Sequence, residues 1–282
     1  MKRISILGSG WLGFPLAIEL SQANFHVKAS SRSQERLTHL RKAGIEAHAY
    51  DIDVSDVRKN SHENDFLQAD ILIINITSKS IEAFAQLISE IEKSTIQQVL
   101  FISSTSVYTN SANLDSAAVT EDSLKQLKPC PLLTIESMFQ ANDHFETTII
   151  RFSGLIGYQR HPGRFFLTTN DDDSTYCKTI KNPDARVNMI HRDDCIGIIN
   201  AVIKQNCWGE VFNACASQHP TRREFYKAAL NHLGEYEPVL SGQTDSVGKI
   251  ISNQKVTEQL DYSFIHNDLL NFTKMPFINS AG

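Results

Sequence analysis

An apolar run that empties into three spaced glycines constrains this chain more than any other feature. Ile4, Ile6 and Leu7 read as a buried strand, Gly8, Gly10 and Gly13 follow at G-x-G-x-x-G spacing, and residues 14–23 continue with helical periodicity. In a strand–turn–helix of this kind the free backbone N–H groups and the helix dipole face an anion at the helix N-terminus. The first glycine makes the tight turn, the second admits a pyrophosphate close to the backbone, and the third lets helix and strand pack. Glycine-rich turns are common, so the flanks carry the weight, and here they fit. The stretch predicts a dinucleotide site in which Gly8, Ser9, Gly10, Trp11, Leu12 and Gly13 hold the cofactor.

The chain beyond it alternates. A strand over 26–30 ends in Ser30-Ser31-Arg32-Ser33, where an NAD-preferring site places an acid for the ribose 2′-OH. No acid is present. Ser31, Arg32 and Ser33 suit a 2′-phosphate instead, because a guanidinium pairs with phosphate in a fork. NADP is the expected cofactor and NAD the alternative, while Ser33 also reads as the cap of a helix over 34–43. A strand over 45–50 leads to Asp51, placed to meet an adenine amino group or to cap a turn. Residues 71–76 are unbroken apolar, as a strand buried on both faces requires, and Ile76 and Thr77 at its end enter the expected crevice. A helix over 80–94, a strand over 98–102, a polar loop over 109–128, a helix over 134–145 and a strand over 147–152 continue the beat. Ser103 and Phe152, at the ends of their strands, complete the expected cofactor lining. This alternation predicts an α/β fold with a doubly wound parallel sheet.

Past Gly157 the regularity stops. The expected division is a dinucleotide-binding domain over 1–157, with 187–205 packing back on it, and a smaller α+β substrate lobe over 158–186 and 206–282. Asp171-Asp172-Asp173 reads as a solvated loop. His191-Arg192-Asp193-Asp194 looks metal-like, but neighbouring carboxylates beside one His more often cap a helix, so no metal site is expected. A formal charge of −5 over 282 residues gives no electrostatic reason for nucleic acid or membrane binding. Five cysteines without a C-x-x-C pair fit reduced thiols. Lys2 and Arg3 before an apolar run mimic a secretory signal, but Gly8, Gly10, Gly13, Pro15 and Glu19 interrupt it, so a cytoplasmic chain is expected. A homodimer is the default expectation.

Further blocks carry a family resemblance. Ser103-Ser104-Thr105-Ser106-Val107-Tyr108 is similar to S-S-x-x-V-Y, Arg151 to Gly157 to R-x-x-x-x-x-G, and Asn188 to Asp194 to x-x-I-H-V-x-D. Together with the glycine turn, Gly209 to Asn213 and Lys249 to Asn253, they resemble the extended short-chain dehydrogenases/reductases of the nucleoside-diphosphate-sugar epimerase and dehydratase type. Trp11-Leu12-Gly13 and the block from His161 to Phe166 resemble its atypical YeeZ-type branch most.

The resemblance implies a Rossmann domain with a C-terminal substrate lobe. It also implies catalysis by a Ser/Thr together with Tyr and Lys in Y-x-x-x-K. Ser104 matches the Ser/Thr, with Thr105 beside it at the substrate. Alignment puts Lys128 and Leu132 where the Tyr and Lys belong, so the standard mechanism is absent. An acid or base would then come from Tyr108 or His161, and Arg164 would bind an anionic group of an unidentified, sugar nucleotide-like small molecule. Two other readings stand beside this one. A non-catalytic dinucleotide-binding regulatory or scaffold protein fits the missing pair, and the run from Leu7 to Ala17 also resembles 3-hydroxyisobutyrate-type dehydrogenases, which continue into an all-helical second domain.

Overall fold

A computed structural model describes residues 1–53, 65–109, 118–169, 175–234, 236–242 and 248–278. In chain order the first elements are β1 (Arg3–Leu7), α1 (Gly13–Gln22), β2 (His26–Ser30), α2 (Gln34–Lys42) and β3 (Glu46–His48). Then come β4 (Ile71–Ile74), α3 (Ile81–Ile91), β5 (Gln98–Ser104), α4 (Pro131–Gln140) and β6 (Glu146–Phe152). The later elements are β7 (Gly154–Ile156), β8 (Leu167–Thr169), β9 (Thr175–Cys177), β10 (Ile180–Lys181), β11 (Met189–His191) and α5 (Arg192–Gln205). They are followed by β12 (Val211–Ala214), α6 (Arg222–Leu233), β13 (Leu240–Ser241) and α7 (Gln254–Gln259).

Seven strands make one sheet in the order β12-β6-β5-β4-β1-β2-β3. The pairings β3 to β2, β2 to β1, β1 to β4 and β4 to β5 are all parallel. The chain reverses direction across the sheet between β1 and β4, the switch point at which open α/β sheets bind ligands. Ile71, Leu72, Ile73 and Ile74 of β4 are each no more than 1% exposed, which accounts for their unbroken apolar run. Burying one such side chain contributes roughly 1.5–3 kcal/mol. Phe84 of α3, Phe101 of β5 and Phe139 of α4 interlock beside the sheet with ring centroids 5.3–6.0 Å apart.

Local chemistry sets the element ends. Ser33 and Ser80 accept the N–H groups of Arg36 and Ala83 at the starts of α2 and α3. Thr221 and Glu224 form a capping box on α6. The expected helix over 134–145 instead runs Pro131–Gln140, because Pro131 fits its first turn, where no N–H is needed. Residues 141–145 at its expected end make the turn before β6 instead, and Thr147 Oγ1 donates to the Phe139 carbonyl at 3.1 Å.

The residue contacts divide the chain into two compact units. The first is Met1–Val107, Lys128–Arg151 and Ile199–Phe212, and the second is Tyr108–Leu127, Phe152–Ile198 and Asn213–Gly282. This division differs from the expected one. Residues 108–127, 152–157 and 187–198 fall with the second unit, and residues 206–212 with the first. Within the second unit β7 pairs parallel with β11, β8 antiparallel with β9, and β10 parallel with β13. Ile156, Ile180, Val187, Phe225, Leu269 and Phe272 are part of its core. Strands here argue against the all-helical second domain of the 3-hydroxyisobutyrate-type alternative. Asp171, Asp172 and Asp173, and the loop residues 110–117, lie outside the described residues. Among the described residues no helix is long and apolar enough to cross a membrane.

Candidate functional site

A cleft of about 660 Å³ opens in the first unit at the switch point. Leu7, Gly8, Ser9 and Gly10 form one wall, residues 30–33 another, and Asp51, Asn75, Ile76 and Thr77 are also in the lining. Gly8 has φ +98°, and a Cβ there would come within 2.4 Å of the Asn75 carbonyl oxygen. A Cβ on Gly13 would come within 2.1 Å of the Gly8 carbonyl oxygen, whereas one on Gly10 would meet nothing within 4 Å. Two glycines are therefore required by the protein itself. The third leaves open space, as a pyrophosphate approaching the backbone needs. The residues present fit a dinucleotide.

Ser30 fastens the turn. Its hydroxyl accepts the Gly8 N–H at 3.1 Å, and its carbonyl accepts the Ser9 N–H at 2.9 Å and the Ser9 hydroxyl at 2.8 Å. From the other side Asn75 Nδ2 donates to the Gly8 carbonyl at 3.1 Å. Leu12 is 3% exposed and packs in the core, while Trp11 and Gly13 lie outside the lining. Ser31, Arg32 and Ser33 all reach the cleft. Arg32 is 71% exposed at its side chain and stands 3.8 Å from Asp51. The sequence reading missed Arg36 and His39, which line the same end of the cleft. Their signal was legible, since Arg36 and His39 stand three residues apart on α2 and share one face, just after Arg32 in the chain. Arg36 is further held over the Phe14 ring, 5.0 Å from its centroid.

Other expected site residues sit elsewhere. Ser103 and Phe152 do not line the cleft; both are buried, and Ser103 gives its hydroxyl to Glu136. Ser104 is half-buried at the end of β5 and accepts the Ser106 N–H at 3.1 Å, with Thr105 buried beside it. Tyr108 is 1% exposed and its phenol donates to Asn213 Oδ1 at 2.9 Å, which makes it a packing residue and not a free acid.

His161 is likewise corrected. It is 2% exposed, its Nδ1 accepts the Gly163 N–H, and its Nε2 meets His232 Nδ1 at 3.1 Å. Burial, with the nearby His232 and Arg164, pushes its pKa down to about 4. Such a ring holds the core of the second unit and is poorly placed to exchange protons with a ligand. Arg164 lies half-buried in the short 3-10 turn Pro162–Phe165. The expected cap at His191 to Asp194 is also built differently: His191 Nδ1 accepts the Asp193 N–H, while Asp194 binds the backbone of residues 265–266.

Comparison with known proteins places this geometry. A family model described as NADP oxidoreductase, coenzyme F420-dependent, matches residues 3–125. Protein YeeZ of Escherichia coli strain K12 is 28% identical over 96% of this chain and 98% of its own length. UDP-glucuronic acid 4-epimerase from Bacillus cereus, solved in complex with NAD, superposes with a TM-score of 0.72 at 18% identity, covering 97% of each chain. The fold is a Rossmann-like one, shared with that epimerase. A short-chain dehydrogenase/reductase superfamily protein from Agrobacterium tumefaciens with bound NAD has the same TM-score of 0.72 at 16% identity, covering 93% of this chain and 92% of that one. This chain is thus similar to Protein YeeZ almost from end to end, on a fold like that of these solved structures.

Proposed function

We propose that this chain is an NADP-dependent oxidoreductase or epimerase-like enzyme with a non-standard catalytic set, acting in the cytoplasm on a sugar nucleotide-like small molecule, as a homodimer. The observation that carries the cofactor reading is the end of the cleft beyond β2, where Arg32, Arg36 and His39 converge and β2 ends without an acid. A 2′-phosphate placed there meets two guanidinium groups and an imidazole beside Glu35, whereas a ribose 2′-OH lacks the carboxylate usual at the end of β2. The family model over residues 3–125, with its NADP description, supports the same choice.

The cofactor would supply a hydride acceptor or donor when bound. Gly10 would offer its backbone N–H to the pyrophosphate, and Asp51 stands near enough to Arg32 to set the position of its guanidinium. Ser104 is the hydroxyl assigned to polarise a substrate oxygen, with Thr105 beside it and Arg164 reserved for an anionic substrate group. The second reading, a dinucleotide-binding protein without catalysis, is favoured by one observation: Tyr108 and His161 are both buried and hydrogen-bonded, so neither replaces the missing Tyr-x-x-x-Lys.

Separate calorimetric titrations with NADP and NAD test the cofactor, using the wild type and Arg32→Ala. Binding of NADP at least about 10-fold tighter, about 1.4 kcal/mol, with the preference collapsing in the variant, is the expected result. Equal affinities would overturn the NADP assignment. A screen of sugar nucleotides and carbonyl compounds then separates the two readings, since NADPH turnover lost in Ser104→Ala excludes the non-catalytic one.

A further inference from the structure

The second unit also holds a hollow of about 430 Å³ with basic walls. Lys181 ends β10, Arg186 stands between β10 and β11, Arg222 begins α6 and Lys249 precedes α7, and all four line the hollow. The whole chain carries a formal charge of −5, yet among the described residues no carboxylate lines this space. We propose that the hollow binds a compact anion with two or more phosphoryl groups and no nucleobase, held chiefly by Lys181, Arg186 and Arg222. It shares no lining residue with the dinucleotide cleft, so the assignment does not rest on the cofactor reading.

Unmatched charge supports the assignment. Arg222 Nε donates to the Lys181 carbonyl at 2.9 Å and Arg186 Nη1 to the His219 carbonyl at 3.1 Å, so neutral oxygens position both guanidinium groups and leave their charge uncompensated. Among the described residues none of Lys181, Arg186 and Arg222 stands in an ion pair, whereas the neighbouring Arg223 is paired with Asp184 at 2.9 Å. Glu224, two residues past Arg222, is occupied in the capping box with Thr221. Like charges gathered round one hollow repel, and a multivalent anion between them reverses the sign of the interaction. A guanidinium meets phosphoryl oxygens as a fork and an ammonium meets them as a point charge. A phosphoryl group directs three oxygens outward, so one group bridges cations on different walls, whereas a carboxylate has two oxygens in one plane.

Backbone contacts fix the walls. The Arg222 N–H donates to the Ala185 carbonyl at 2.8 Å and the Val187 N–H to the Pro220 carbonyl at 2.9 Å, which ties the segment around Arg186 to the start of α6. Asn188 uses both ends of its amide on the stretch that carries Lys249, donating to the Lys249 carbonyl and accepting the Ile251 N–H, each at 2.9 Å. Lys249 Nζ is itself anchored on the Tyr108 carbonyl at 3.0 Å, which leaves it the lesser part in binding. Gly248, with φ +75°, brings its backbone so near Arg186 that a Cβ would stand 3.4 Å from the Arg186 nitrogen. The uncharged lining is Asn182, Ala185, Asn188 and Gly248, which offers no aromatic or large apolar surface. Sites that hold rings are lined mainly by such surface, so a nucleobase has nothing to stack on here.

The test titrates the full-length chain calorimetrically with sodium pyrophosphate, UDP and citrate at one ionic strength, counting for each probe only the binding that Arg222→Gln removes. Saturable pyrophosphate binding is expected, with UDP and citrate bound no more tightly. Arg186→Gln and Arg222→Gln should each weaken pyrophosphate binding at least about 10-fold and Lys181→Gln about 5-fold. Lys227→Gln, a cation of α6 outside the hollow and paired with Glu237, should leave it unchanged. Lack of saturable binding, or wild-type affinity in both arginine variants, would overturn the site. UDP or citrate bound more tightly than pyrophosphate would overturn the ligand class. Should Arg222→Gln not fold, Lys181→Gln takes its place, because among the described residues the Lys181 ammonium stands in no ion pair.

Discussion

Single residues decide how the turn after β1 works, and its three glycines do different jobs. Gly13→Ala would press a methyl to 2.1 Å from the Gly8 carbonyl oxygen, so the α1 packing must shift, at a cost of about 1–3 kcal/mol. Gly10→Ala projects into open space and should leave stability within about 0.5 kcal/mol. Dinucleotide affinity should nonetheless fall at least about 10-fold in Gly10→Ala, because the methyl occupies the path of the pyrophosphate. Melting temperature and NADP titration measured on both variants separate the two effects. A Gly10→Ala protein that melted early, or bound NADP normally, would contradict this division of roles. The spacing of the glycines was legible in the sequence. That Ser30 and Asn75 brace them was not, since both partners arrive from strands distant in the chain.

At the scale of elements, α4 and β6 are joined by a buried ion pair. Arg151 Nη2 donates to Glu136 Oε2 at 2.7 Å, with side chains 5% and 0% exposed, and Ser103 of β5 donates to the same carboxylate. Glu136→Ala strips a buried guanidinium of its charge partner and should destabilise by about 3–5 kcal/mol in urea unfolding. Pairing it with Arg151→Leu should recover most of that loss, since the cost lies in the stranded charge and not in the missing attraction. A double variant no more stable than Glu136→Ala alone would count against this account. The sequence showed Glu136 on a helix and Arg151 on a strand, but not that they met. That meeting also explains why Ser103 is unavailable to a cofactor.

Across the whole molecule, acid sensitivity should track His161. Its folded pKa is pushed down to about 4, below the ordinary value near 6.5, by burial first and then by the charges of His232 and Arg164. Between those values the unfolded chain binds a proton that the folded chain refuses, so stability rises with pH across this window. It is fully present above about pH 6.5 and is lost as pH falls toward about 4, by an amount on the order of 3 kcal/mol. Denaturant midpoints at pH 7.5 and 5 should show the drop in the wild type and a smaller one in His161→Leu, which starts from lower stability. Equal slopes would remove His161 as the cause.

The sequence by itself determined the α/β alternation, the parallel sheet and the place of the dinucleotide turn. Each of these rests on periodicity and on residues adjacent in the chain: the apolar run of β4, the glycines after β1, the caps Ser33, Ser80 and Thr221. Only the tertiary structure decided which polar groups are spent. Tyr108 and His161 carry the chemistry of an acid or base, and burial with a partner takes it from them. It also brought His266 from the loop after α7 to His191 and Asp193, 73 residues from the latter. Burial and partnership are properties of the folded surface, and no spacing along a chain encodes them.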